Sequence, residues 1–282
     1  MRLKWLVIIV LVFLANSYAQ TIDKLYLWPE EVPNEKGIKH NPIQIPDTSR
    51  NVIRITNITN PLLTVFKPVD SLKNGASIII SPGGGYKYLA INIEGYEIAE
   101  WFISLGYTAF VLEYRTPDNR IGALNDIQRA IRVVRSNSKK WNLDSEKIGV
   151  IGFSAGGHLS ALVSTNFKIN SYSKVDEIDK VSSRPDFSLL IYPFSLDQGV
   201  DNTLSPDFKI HNNIPPTFIF GTSDDTYANS FNVFASALQK ESIPLEFHLY
   251  PNGGHGYGLR KGNHAAETWP LLAEKWLVET VF

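Results

Sequence analysis

Cysteine is absent from the 282-residue chain. No disulfide framework can form, and no lipid can be attached through an N-terminal cysteine. Stability has to come from packing. Charge of one sign is also missing, with 27 Lys and Arg against 28 Asp and Glu. Basic residues neither run together nor interleave with aromatics, which argues against a nucleic-acid partner. The six histidines are scattered. Apart from one another or a carboxylate at zinc spacing, and with no thiolate to help, they predict neither a metal nor a cofactor. No internal repeat, low-complexity tract or linker divides the sequence, so residues 20–282 are expected to form one domain of ordinary globular composition.

The longest apolar run, Trp5 to Leu14, is ten residues, whereas a membrane-crossing helix needs about 20. Arg2 and Lys4 precede it, and Ser17 and Ala19 put small residues at −3 and −1 of a cut. This is the pattern of a cleavable signal peptide over residues 1–19, cut after Ala19, which predicts a secreted or periplasmic protein with no membrane span in the mature chain. Removing Arg2 and Lys4 leaves 25 basic against 28 acidic residues.

After a leader to about residue 50, short apolar runs alternate with helical patterns. Eight strands are predicted: Val52–Thr56, Leu62–Phe66, Ala76–Ile80, Thr108–Leu112, Lys147–Ile151, Phe187–Ile191, Thr217–Phe220 and Leu245–Leu249. Near-continuous runs such as Ile78-Ile79-Ile80 suit strands buried on both faces, and the first two runs suit an antiparallel edge. Leu124, Ile127, Ile131 and Val134 mark one face of a helix that ends before Trp141. A last helix is expected with Thr268 as its cap, Pro270 in its first turn, and Trp269, Leu272 and Trp276 on one side. The expected class is therefore α/β, a mostly parallel eight-stranded sheet with helices on both faces. Residues 195–214 lack a period and read as a loop or a small cap.

Gly152-Phe153-Ser154-Ala155-Gly156 follows the fifth strand and opens a helix. That is the nucleophile elbow of an α/β-hydrolase fold, whose sharp turn holds the serine hydroxyl above the sheet while the two glycines admit the close backbone. Ser81-Pro82-Gly83-Gly84-Gly85-Tyr86 follows the third strand. Its flexible backbone can aim N–H groups at an oxyanion, and Gly84 and Gly85 are the expected donors with Ala155 as the third. No Lys-Ser/Thr pair closes this loop as a nucleotide site would. A serine hydroxyl needs a general base, and the base needs a carboxylate. In this fold these follow strands seven and eight: Gly221-Thr222-Ser223-Asp224-Asp225, then Gly253-Gly254-His255-Gly256. The base is His255. His158, one helical turn beyond Ser154, reads as a hydrogen-bonded packing residue.

Together these segments resemble the α/β-hydrolase carbohydrate esterases of the acetylxylan-esterase type, which are related to the hormone-sensitive-lipase-like esterases. The likeness spans nearly all of the chain beyond the signal peptide. It includes Leu27-Trp28-Pro29, Pro82 to Tyr86, Asp126-Ile127-Gln128-Arg129-Ala130-Ile131-Arg132, Gly152 to His158, Arg184-Pro185-Asp186-Phe187 and Gly253 to Arg260. Pro82 stands where hormone-sensitive-lipase-like enzymes carry histidine, which favours the carbohydrate-esterase branch. The resemblance places the acid three residues past Gly221, selecting Asp224 and leaving Asp225 to cap the next helix, although the short Thr226-Tyr227-Ala228-Asn229 segment departs from many relatives. It implies a secreted serine carboxylesterase that removes O-acetyl or similar short acyl groups from a sugar or polysaccharide, with Tyr86 and Tyr257 against the substrate. Feruloyl esterase, short-chain lipase and exopeptidase specificities are the enzymatic alternatives. A catalytically silent binding protein is the non-enzymatic one.

Overall fold

Ile78, Ile79 and Ile80 have no exposed surface, and they sit in β5 (Ser77–Ser81) at the middle of the molecule. In the computed structural model, which describes residues 23–282, β5 pairs in parallel with β7 (Thr108–Glu113) on one side and β8 (Ile148–Phe153) on the other. The side chains alternate: Ile78 and Ile80 enter one apolar layer and Ile79 the other. Full burial of each stabilises the fold by roughly 1.5–3 kcal/mol. The predicted signal peptide at 1–19 lies outside the described residues.

β9 (Phe187–Ile191), β10 (Thr217–Thr222) and β11 (Leu245–Tyr250) continue the parallel sheet beyond β8. On the opposite side, β4 (Leu62–Phe66) is antiparallel to β7, and β1 (Asp23–Tyr26) is antiparallel to β4. The sheet has eight strands in the order β1-β4-β7-β5-β8-β9-β10-β11. The predicted number is right, but its first member is not. The run at 52–56 gives only β3 (Arg54–Thr56), the middle of a small separate sheet with β2 (Ile43–Gln44) and β6 (Leu89–Ala90). The edge position belongs to β1, from the segment read as leader. Its DKLY pattern is mostly exposed and therefore carries little hydrophobic signal; backbone pairing and the burial of Leu27 and Trp28 just beyond it hold it in place.

One face of the sheet is covered by α1 (Glu97–Ser104) and α5 (His264–Val281), through Ile98, Phe102, Trp269 and Trp276. The other is covered by α2 (Arg120–Ser136) and α3 (Ala155–Asn166), through Ile127, Ile131, Leu159 and Val163. On that same side α4 (Ala228–Lys240) packs Phe231 and Phe234 against Ile219 of β10 and Ala161 of α3. Helix α5 begins four residues earlier than Thr268. Asn263 caps it by accepting the N–H groups of Ala265 and Ala266, while Thr268 lies inside and donates its hydroxyl to the His264 carbonyl. Pro270 then falls in the second turn and leaves the Ala266 carbonyl without its usual donor. Residues 195–214 pack Leu196, Phe208 and Ile214 into the α4 cluster, and none of them lines the cleft above Ser154. They are a packed loop beside the site and not a cap over it. No helix among the described residues is long and apolar enough to cross a membrane.

The Asp126–Arg132 stretch is scaffold. Asp126 and Arg115 form a fully buried pair at 3.0 Å, and the Trp28 indole donates to the same carboxylate at 3.0 Å. Burial pushes the Asp126 carboxyl above its ordinary value, against the pull of Arg115. Arg129 donates to the Leu27 carbonyl and pairs with Asp176 and Asp179. The segment after β1 and the loop before β9 are thereby tied to α2.

Candidate active site

The turn from β8 into α3 is held by backbone crowding. A Cβ on Gly152 would fall 2.0 Å from the Gly156 carbonyl oxygen, and one on Gly156 would fall 1.8 Å from that of Ser81. No side chain fits at either position. Between them Ser154 adopts φ 51°, ψ −114°, a conformation that costs a non-glycine residue about 1–3 kcal/mol and that clusters at functional sites. Its N–H donates to the Ile191 carbonyl at the end of β9, which fixes the hydroxyl above the sheet.

His255 sits in the loop after β11, with Nε2 2.7 Å from Ser154 Oγ. On the other side of the ring, Nδ1 is 2.7 Å from Oδ2 of Asp225. A carboxylate can only accept there, so the proton resides on Nδ1 and Nε2 is free to accept from the serine O–H. Asp225 has a fully buried side chain, and its carboxylate also accepts the Tyr227 N–H at 2.9 Å.

The acid at the imidazole is thus Asp225, where the sequence pattern selected Asp224. The reason lies in the strand. β10 runs through Gly221 and Thr222, two residues past its predicted end, because both continue in register with β11 at Leu249 and Tyr250. The turn starts later, and the inward position passes to the second acid. Asp224 faces out and accepts the N–H groups of Gly254 at 2.9 Å and Gly253 at 3.2 Å. Those donors hold its carboxyl below its ordinary value, and the pairing fixes the histidine loop. Thr222 and Ser223 add hydroxyl bonds to the carbonyls of Gly254 and Pro251.

Gly84 and Gly85 line the cleft that opens over Ser154 and His255, and their N–H groups donate to no partner among the described residues. The Ala155 N–H, in the first turn of α3, has no intrahelical acceptor either. Gly83 is different. Its N–H is already taken by Glu94 Oε2 at 2.8 Å, and Glu94 Oε1 accepts the Tyr192 hydroxyl at 2.9 Å. That hydroxyl in turn accepts the Gly258 N–H. A single buried carboxyl group therefore braces the glycine loop, the end of β9 and the histidine loop. Burial raises the Glu94 carboxyl above its ordinary value, and the Tyr192 and Gly83 donors pull the other way.

Of the two tyrosines expected against substrate, Tyr86 is buried beneath the glycine loop. Its hydroxyl is 2.8 Å from Nδ1 of His158. Burial lowers His158 to about 3, so this histidine stays neutral and packs, as its position on α3 suggests. Tyr257 is also buried, stacked edge-on against Tyr192 at 4.5 Å, and reaches only the neighbouring hollow beyond His255. The aromatic walls of the cleft are Tyr88, Phe194 and Tyr227, the last lying 5.0 Å from the His255 ring. Sequence reasoning missed these three together with Glu94 and Tyr192. Tyr192 and Phe194 follow the end of a parallel strand, where ligands bind in such sheets; Glu94 has no motif around it. Among the described residues no cluster of His, Asp and Glu is arranged to hold a metal ion.

Comparison with known proteins agrees with this architecture. Residues 63–191 match the family model described as BD-FAE. The chain is 31% identical over 212 residues to an acetylxylan esterase of Xylanibacter ruminicola, covering 66% of this chain and 42% of that protein. It is 32% identical over 222 residues to endo-1,4-beta-xylanase B of Butyrivibrio fibrisolvens, covering 70% of this chain and 34% of that one. The chain therefore spans less than half the length of these two relatives. Among solved structures, the acetyl ester-xyloside bifunctional hydrolase of Caldicellulosiruptor lactoaceticus superimposes with a TM-score of 0.75 at 33% identity, covering 91% of this chain and 96% of that one. With this likeness over nearly the full length of that hydrolase, the chain belongs to the α/β-hydrolase esterases of the acetylxylan-esterase type.

Proposed function

We propose that the protein is a secreted serine carboxylesterase that removes O-acetyl or similar short acyl groups from a carbohydrate, with residues 20–282 as a single catalytic domain and export by cleavage after Ala19. The observation that carries the reading is the continuous line from Ser154 Oγ through His255 to Asp225, with 2.7 Å at each step. His255 Nε2 takes the Ser154 proton as Oγ attacks the ester carbonyl. The buried Asp225 carboxylate stabilises the imidazolium that forms. The N–H groups of Gly84, Gly85 and Ala155 receive the oxyanion, each worth about 3 kcal/mol in the transition state. The imidazolium then gives its proton to the departing sugar hydroxyl, and water repeats the sequence on the acyl-enzyme. The names of the relatives and an open cleft that sets aromatic side chains beside Arg and Lys groups support a carbohydrate ester as substrate.

Ser154→Ala is expected to lower kcat for acetate release from acetylated xylan by about 10⁶-fold. A variant that keeps most of its turnover sinks the assignment. The aromatic walls Tyr88, Phe194 and Tyr227 favour a second reading, an aromatic acyl group such as ferulate. Comparing rates on acetylated xylan and methyl ferulate separates the two.

A further inference from the structure

The chain as a whole is nearly neutral, yet its cleft is not. The hollow over Ser154, about 420 Å³, is bordered by Arg50, Arg54 and Lys87. The adjoining hollow on the far side of His255, about 480 Å³, is bordered by Arg50, Arg260 and Lys261. Five cations therefore surround the candidate site, and the one acidic side chain among the lining residues is Glu94. Both of its oxygens are engaged by Gly83 and Tyr192.

Two of the five are accounted for by the fold. Arg54 holds the carbonyls of Asp47 and Val52 and stands 3.6 Å from the Asp47 carboxylate. Arg260 pairs with Glu97 at 2.8 Å. Arg50, Lys87 and Lys261 are exposed and form no ion pair within 4 Å among the described residues, and only Arg50 is near enough to a carboxyl, that of Glu94, to pull on it through space. Arg50 is also held in an unusual way. It occupies φ 58°, a left-handed conformation unfavourable for a residue with a Cβ. The loop that carries it is fastened from three directions: by Arg54, by Asn92 donating to the Asn51 carbonyl at 2.7 Å, and by Arg260 reaching the same carbonyl at 3.3 Å. Such fastening presents a planar, permanently charged group to the cleft from a fixed backbone. That is the arrangement suited to recognising a carboxylate or sulfate.

We infer that the cleft selects esters on acidic glycans, with Arg50, Lys87 and Lys261 receiving the anionic group, a uronic carboxylate or a sulfate, of a sugar next to the acylated one. This rests on the carbohydrate-esterase reading above and narrows its substrate class. A rim charge facing one anion in water is typically worth a few-fold in binding, and the attraction is screened within about 10 Å at 0.1 M salt and 3 Å at 1 M.

The test compares kcat/KM on matched pairs of acetylated oligosaccharides: xylo-oligosaccharides with and without a glucuronic acid branch, and neutral against sulfated galacto-oligosaccharides. At low salt the acidic member of at least one pair is expected to be preferred by about tenfold, with the preference collapsing at 1 M NaCl. The pair that responds identifies the anion. Arg50→Gln combined with Lys87→Gln is expected to bring the acidic-to-neutral ratio close to one, whereas Lys139→Gln, between α2 and β8 at the opposite end of the sheet, leaves it unchanged. Equal rates on both members of each pair, or a preference indifferent to salt and to the double variant, overturn the inference. If wild-type protein releases no acetate from any member and p-nitrophenyl acetate is not turned over either, the esterase reading itself has failed.

Discussion

Exchanging one carboxylate for a carboxamide at position 225 reports on the orientation of the imidazole. Asp225 uses both oxygens, one accepting the Tyr227 N–H at 2.9 Å and the other facing His255 Nδ1 at 2.7 Å. An asparagine in the same pose can satisfy only one of these as an acceptor. With its oxygen kept on the Tyr227 N–H, its NH2 group points at Nδ1, which must then give up its hydrogen. The proton moves to Nε2, so that His255 confronts Ser154 with a donor and cannot act as base. In triads of this geometry such a tautomer error costs about 10⁴ in kcat, equivalent to ~5.4 kcal/mol. The same change at Asp224 removes one of two acceptors for the amides of Gly253 and Gly254 on an exposed loop, and is expected to lower kcat less than tenfold. Initial rates on p-nitrophenyl acetate, with circular dichroism to confirm folding, measure both variants. If Asp224→Asn is the more damaging change, or if Asp225→Asn keeps more than a tenth of the wild-type kcat, the reasoning is refuted.

Other consequences are open to measurement. Asp126→Ala leaves the fully buried Arg115 without its carboxylate and is expected to destabilise the protein by about 3–5 kcal/mol in urea unfolding at neutral pH. Gly156→Ala forces a methyl group against the Ser81 carbonyl and is expected to yield little folded protein, whereas alanine at Gly262, where space is open and only the φ of 87° is unfavourable, is expected to cost about 1–2 kcal/mol and still give soluble protein; comparing soluble yields checks this. Glu94 binds its proton more tightly folded than unfolded because it is buried. Its contribution to stability is therefore present below the unfolded value of about 4.3 and lost as pH rises through the raised folded value. In Glu94→Gln this loss is absent, so the Tm of the variant relative to wild type is expected to rise between pH 4 and pH 8; a difference flat with pH contradicts the buried-charge argument.

The parts of the protein legible in the sequence are those where packing or sterics leave no choice. Ile78-Ile79-Ile80 could only be a strand buried on both faces, and Gly152 and Gly156 flank a turn that no other residue permits. What stayed hidden depended on pairing between distant segments. β1 is exposed along its own length and is recruited by β4, so hydrophobic pattern could not reveal it. The acid was displaced by one position because β11 extends β10 past Phe220, a register decided across strands. Asn263 outcompetes Thr268 as the helix cap because His264–Glu267 can continue the helix beneath Gly253, whose carbonyl accepts from Asn263. Tyr86 has the composition of a wall residue, and only the position of His158 draws it under the loop. Glu94 lies in an unremarkable stretch, and its importance arises from Gly83 and Tyr192, eleven residues before it and ninety-eight after it.

The central claim is that Ser154 is a nucleophile made reactive by His255, and covalent capture tests it most directly. After treatment with a fluorophosphonate, peptide mapping by mass spectrometry is expected to find the phosphonyl group on Ser154 in the wild type and almost none in folded His255→Ala. Label on another residue, or equal labelling of Ser154 without the histidine, would contradict the account.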